Sequence, residues 1–146
     1  MKTAEELKKL YLRDLDKVTS ELQAYENPDD KWEVREGINN SAGNLMMHIC
    51  GNLRHFVGTI LDDTGYERDR EEEFAGRCTD EDLVAAIEET KEVLSDYLDK
   101  VTDDELSYPY PEQPFGYPMT KFHFLIHLYG HLNYHLGQIN YHRRLL

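Results

Sequence analysis

The chain has 146 residues, 40% hydrophobic and 31% charged, a balance expected of one folded soluble domain spanning residues 1–146. Its formal net charge of −13 repels nucleic-acid phosphates and anionic membrane surfaces, which disfavours both as partners. No stretch approaches the roughly 20 apolar residues of a membrane span, and the opening MKTAEELKKLYLRDL has no apolar signal-peptide core, so the expected location is cytoplasmic.

Four helical segments follow in chain order. The first is expected to open with Thr3 as its cap and Glu6 three residues on, a capping box. Leu7, Leu10, Tyr11, Leu15, Val18 and Leu22 follow at helical spacing, and Asn27 with Pro28 closes the segment. The second starts near Asn40 or Ser41, places Leu45, His48, Ile49, Asn52, Leu53, Phe56 and Ile60 on one side, and stops at Thr64 and Gly65. A charged loop is expected from Tyr66 to Arg77. Thr79 then caps the third helix with Asp82 in the box position, and Leu83, Ala86, Ile87, Leu94, Leu98 and Val101 form its core stripe. Pro109, Pro111, Pro114 and Pro118 exclude a continuous helix. Thr120 caps the last helix, which carries Leu125, Leu128, Leu132, Leu136 and Ile139 and closes on His142, Arg143 and Arg144, positive groups that suit a helix C-terminus. Four amphipathic helices without a convincing strand predict an all-α four-helix bundle, with the longer links after helices one and three leaving the connectivity open.

Cys50 and Cys78 form no CxxC, which fits two reduced thiols better than a disulfide or a metal site. The histidines are more informative. Of seven, His123, His127, His131 and His135 recur every four residues on the last helix. Each step of four turns the side-chain direction by about 40°, so neighbours project to nearly the same side with Cβ atoms about 5–6 Å apart. The whole series drifts by about 120°, so all four cannot share one ion. A single helical histidine is usually just a polar residue. Four in register within an otherwise apolar helix are harder to dismiss, because buried imidazole needs a partner. Spacing leaves three possible pairs. A third ligand must come from another helix, where His48 is preferred for its apolar flanks, Leu45, Ile49 and Leu53. His55, nearer the helix surface, is not excluded by spacing. The zinc-protease motif HEXXH is absent: the sequences read HLYGH and HLNYH, with leucine where the catalytic glutamate would stand.

The segments NSAGNLMMHICGNLRHF (40–56), RDREEEF (68–74) and HLNYHLGQINYHRRLL (131–146) resemble the DinB-like superfamily, and more narrowly its DUF1572 branch, in order and spacing. The resemblance covers nearly the whole chain. It implies a four-helix bundle, often homodimeric, with a three-histidine site for a divalent metal ion. Carried over by motif, the ligands are His48, His131 and His135. Gly137 and Gln138 follow the last ligand, where glycine would allow close helix approach and Gln138 would orient a ligand or pair across helices. His127 is then expected beside the ligands or in a pocket, and His123 in a structural role. In RDREEEF a structural role for salt bridges is favoured over Arg68 and Arg70 placing charge at a pocket mouth.

Three imidazoles leave coordination positions open for exchangeable ligands, and they suit zinc, nickel, copper or iron, with zinc or nickel favoured. The resemblance implies, as one function, a metal-dependent thiol transferase or isomerase acting on a small thiol and an electrophile. The other reading is a non-catalytic metal-binding or stress-linked dimer. Metal-assisted hydrolysis requires a general base to which the sequence does not point. Although the superfamily's name refers to DNA damage, the acidic charge gives no support to direct DNA binding.

Overall fold

The computed structural model describes residues 2–146 and, among them, contains helices, turns and a single isolated bridge between Pro109 and Thr120. The helices are α1 (Thr3–Gln23), α2 (Ala42–Leu53), α3 (Arg70–Ala75), α4 (Asp80–Lys100), α5 (Asp103–Leu106) and α6 (Lys121–Leu145). The all-α expectation therefore holds. None of these helices is long and apolar enough to cross a membrane.

Most helix starts follow the sequence. Ser41 accepts from the Asn44 N–H at 3.1 Å, Thr79 and Asp82 form a reciprocal capping box, and Thr120 accepts from the His123 N–H at 3.0 Å. The start of α1 differs. Lys2 occupies the cap position and makes no side-chain bond, while Thr3 is the first helical residue. Its N–H goes to Asp103 Oδ1 at 3.1 Å, so a carboxylate from α5 performs the task expected of the threonine hydroxyl. Glu6 pairs with Lys9 instead of closing a capping box. The helix also ends earlier than expected, at Gln23, and Asn27 caps a separate 3₁₀ turn, Pro28–Trp32.

Beyond Leu53, α2 passes through a wider π-helical turn, Arg54–Thr59, and one more α-turn, Ile60–Asp62. Asp63 (φ +49°) and Gly65 (φ +78°) then turn the chain in the left-handed region. The stretch expected as a charged loop contains α3, capped by Asp69, whose side chain accepts from the Glu72 N–H at 3.0 Å. Its alternating charges hid the helix, because Phe74 is the only large apolar side chain in it.

Helix α1 packs on α4 and α6, and α2 packs on the same two helices. Helices α1 and α2 thus stand on one diagonal of the bundle, and α4 and α6 on the other. The two long links, residues 24–41 and 101–120, make these diagonal crossings. The direct α2-to-α4 link joins neighbours and carries α3, which docks on α2. The bundle leaves a seam between α2 and α6, flanked by α3.

Buried polar groups tie the helices together. Asp14 on α1 is fully buried and accepts from Tyr129 Oη at 2.5 Å, Asn133 Nδ2 at 3.1 Å and Arg13 Nε at 2.8 Å. Burial alone would raise its carboxyl, but these bonds and the guanidinium charge outweigh it and hold the group at about 2. A carboxyl depressed in the folded state contributes stability above its unfolded value of roughly 4, and that contribution is lost as pH falls toward 2. Asp14→Asn is therefore expected to cost about 2 kcal/mol at pH 7. Melting curves of the two proteins should converge between pH 4 and 2; a gap independent of pH would show that the charge is not responsible.

His142, expected as a positive group at the end of α6, is instead a buried bridge. Its Nε2–H donates to the Glu33 carbonyl at 2.9 Å, and its Nδ1 lies 2.6 Å from the Tyr25 hydroxyl, which donates to it. Arg143 is the cation that finds a partner there, pairing with Glu21 of α1 at 2.5 Å.

Candidate metal centre

The four-residue histidine rhythm winds around α6, and only its last two members reach the side facing α2. His123 and His127 remain exposed, and His127 packs its ring against Phe115, with centroids 4.6 Å apart. His55 lies on the π-helical turn with its ring against Phe56. His131 and His135 are half-buried and meet His48, which is 5% exposed on α2. Among the described residues, these three form a group whose candidate ligand atoms all lie within 4.8 Å of one another.

The atoms that converge are the Nε2 nitrogens. His131 Nε2 lies 3.1 Å from His48 Nε2 and 3.1 Å from His135 Nε2. The other ring nitrogens are engaged. His48 Nδ1 is 2.9 Å from Glu73 Oε1, and because a carboxylate only accepts, Nδ1 carries the proton. His135 Nδ1 donates to Gln138 Oε1 at 2.7 Å. The Nε2 atoms of His48 and His135 therefore both face His131 Nε2, with their Nδ1 atoms already engaged. One proton on His131 could satisfy only one of them. Burial, with His135 and His48 close by, pushes His131 down to about 3, and burial also lowers His135. The site consists of three imidazoles whose Nε2 atoms converge.

That arrangement fits a divalent cation. With metal–nitrogen bonds of about 2.0–2.1 Å, two ligands of a tetrahedral ion stand about 3.3 Å apart, close to the two separations here. The chemistry of the donor set and the fixed tautomers both match a small divalent ion.

Glu73 is the residue that sequence reasoning missed. Its side chain is buried beneath α3, and Arg68 grips it in a two-pronged pair, Nε to Oε2 at 2.8 Å and Nη2 to Oε1 at 2.9 Å. Burial pulls its carboxyl up, yet hydrogen bonds from His48 and Arg68 hold it below the ordinary range. Arg68 Nη2 also stands 3.3 Å from His48 Nδ1, but both are donors, so this is proximity and not a bond. The structural role expected for the salt bridges of RDREEEF is thus seen at Arg68 and Glu73, while exposed Arg70 lies over Phe74. A carboxylate four residues after Asp69 in a charged run carries no sequence signal for burial. The informative signal was Gly51, one turn after His48, because a Cβ there would lie 1.9 Å from Glu73 Oε2.

Phe74 of α3 covers His48, with ring centroids 4.6 Å apart. A cavity of about 480 Å³ adjoins His135 and Gln138, lined also by Asn39, Asn40, Tyr134 and Tyr141. A larger cavity of about 630 Å³, between the start of α1 and the end of α4, is lined by residues such as Lys8 and Asp99 and lies away from the histidines. Cys50 and Cys78 are free. Burial raises both thiols, Cys50 to about 11, so neither is an activated nucleophile.

An all-α protein with three convergent histidines on two facing helices is the class that fold and site define. Comparison with known families matches residues 8–139 to the DinB superfamily, and the chain belongs to that superfamily. A search of curated proteins gives no match.

Proposed function

We propose that the protein holds one divalent ion, zinc or nickel, on His48, His131 and His135, and that the site acts on small molecules as a metal-dependent thiol transferase. The observation that carries the first half is the convergence of three Nε2 atoms, with the Nδ1 atoms of His48 and His135 engaged elsewhere. A bound ion would hold a small thiol as its thiolate at an open position. The chain's own residues orient the ligands and line the neighbouring cavity, where Asn39 and Asn40 offer polar contacts and Tyr134 and Tyr141 offer aromatic ones. Neither cysteine competes as nucleophile. Glu73 is occupied by Arg68 and His48, which argues against a general base for metal-assisted hydrolysis.

The test is calorimetric titration of zinc-loaded protein with glutathione or cysteine, followed by turnover with an aromatic electrophile. Wild type is expected to bind thiol only when loaded, and His131→Ala to lose that binding. If loaded protein neither binds nor turns over any small thiol while the ion raises its melting temperature, the non-catalytic metal-binding or stress-linked reading replaces the transferase.

The proposed assembly is a homodimer formed through α6. Its outer side carries Phe122, Ile126, Tyr134 and Tyr141, all exposed, with Gly130 and Gly137 bare between them. A Cβ at either glycine would meet nothing within 4 Å, so the close helix approach expected at Gly137 does not occur within one chain. Residues 121–146 contain no Asp or Glu on a chain of net charge −13, so two copies meet here without carboxylate–carboxylate repulsion. Light scattering is expected to give twice the chain mass, and Gly137→Glu to give the monomer. The 131–146 motif supports placement in the DUF1572 branch, and two cysteines without a CxxC support a cytoplasmic location.

A further inference from the structure

We infer that Glu73, braced by Arg68, is a positioning residue that sets the metal affinity of the centre through His48. This rests on the metal reading above and concerns a residue outside the three histidines.

Four observations converge on the carboxylate. It receives His48 Nδ1–H, the hydrogen bond that leaves Nε2 as the ligand atom. Both of its oxygens are held by Arg68, so it cannot rotate toward the ion and become a ligand itself. The backbone above it is fastened to α2, because Asn44 Nδ2 donates to the carbonyls of Glu73 at 3.0 Å and Gly76 at 2.9 Å. Gly51 provides the space the carboxylate occupies against α2, since any Cβ there would overlap it. A salt bridge that only stabilised the surface would need neither burial nor a missing side chain on the facing helix. Here α3, the Arg68 fork and the Gly51 notch all serve one hydrogen bond on the far side of a candidate ligand.

His135 has a weaker counterpart in Gln138, a neutral acceptor on an exposed part of α6. The two outer partners are therefore unequal, and the anionic, buried one makes His48 the more strongly donating imidazole.

The experiment is zinc affinity by chelator competition at fixed pH for wild type, Glu73→Ala, Glu73→Gln and Gln138→Ala, each checked by circular dichroism. Glu73→Ala is expected to weaken zinc about 10–100-fold. Glu73→Gln, whose carboxamide oxygen still accepts from Nδ1 but carries no charge, should recover part of that loss. Gln138→Ala should cost less than Glu73→Ala. Folded Glu73→Ala within about threefold of wild type would overturn the inference, as would Glu73→Gln no better than Glu73→Ala. A wild-type measurement covers the case in which Glu73→Ala does not fold. In zinc-loaded protein, long-range proton–nitrogen correlation should show His48 bound through Nε2, with a slowly exchanging, downfield Nδ1 proton. Coordination through Nδ1, or a freely exchanging proton, would overturn the proposal. If wild type binds no zinc, the metal reading itself fails; if it binds zinc and only the Glu73 results disagree, this inference alone fails.

Discussion

His131→Ala is expected to lower zinc affinity by more than about 100-fold, beyond the 10–100-fold typical of losing an outer hydrogen-bond partner. His131 stands between the other two histidines, and each of the 3.1 Å contacts includes its Nε2. Its removal leaves His48 and His135, a pair on different helices without the i,i+4 chelate of α6. The effect on the metal-free protein should run differently. Three imidazoles crowded at 3.1 Å gain little from one another when no cation lies between them, so the metal-free variant should melt within a few degrees of metal-free wild type. Wild type alone should gain stability from zinc, about 2.7 kcal/mol at a free concentration 100 times its dissociation constant. Melting curves with and without zinc, beside cobalt or zinc titrations, read both effects. A variant that still gains the full zinc stabilisation would show that His131 is not a ligand.

Gly51→Ala is the second change with a large expected effect. Two magnitudes oppose each other. Alanine is the better helix former by about 1 kcal/mol within a helix, and Gly51 lies inside α2. Its Cβ, however, would stand 1.9 Å from Glu73 Oε2 and 2.5 Å from Cδ. The carboxylate cannot simply swing aside, because Arg68 and His48 hold it and its backbone is tied to Asn44. Overpacking of this kind costs about 1–3 kcal/mol, and expelling a buried ion-paired carboxylate adds to it. Net destabilisation is expected, with a lower melting temperature and weaker zinc binding in the same variant. Stability equal to or above wild type would mean that propensity wins and that α3 does not sit tightly on α2.

How much of this was legible from the sequence differs from element to element. The four long helices were, because each carries an apolar stripe at helical spacing and three of them begin at a capping residue. The start of α1 was not, because its first N–H is satisfied by Asp103, a hundred residues away. The histidine cluster could be read in part from geometry. A four-residue repeat drifts by about 40° per step, so only two adjacent members could face α2, but spacing did not say which two. That depended on where the core face of α6 lies, set by Leu125, Leu128, Leu132 and Ile139, and the family motif supplied the choice. His48 over His55 was legible because His48 sits among apolar neighbours. Glu73 and Arg68 were hidden, since a charged run looks solvated unless one knows that a glycine on another helix makes room for one of its carboxylates.

The central claim is that the three histidines hold one divalent ion. Elemental analysis of tag-free protein, repeated on His48→Ala, His131→Ala and His135→Ala, tests it most directly. About one zinc or nickel ion per wild-type chain is expected, with that ion lost in each variant. A full metal complement that survives all three substitutions would contradict it.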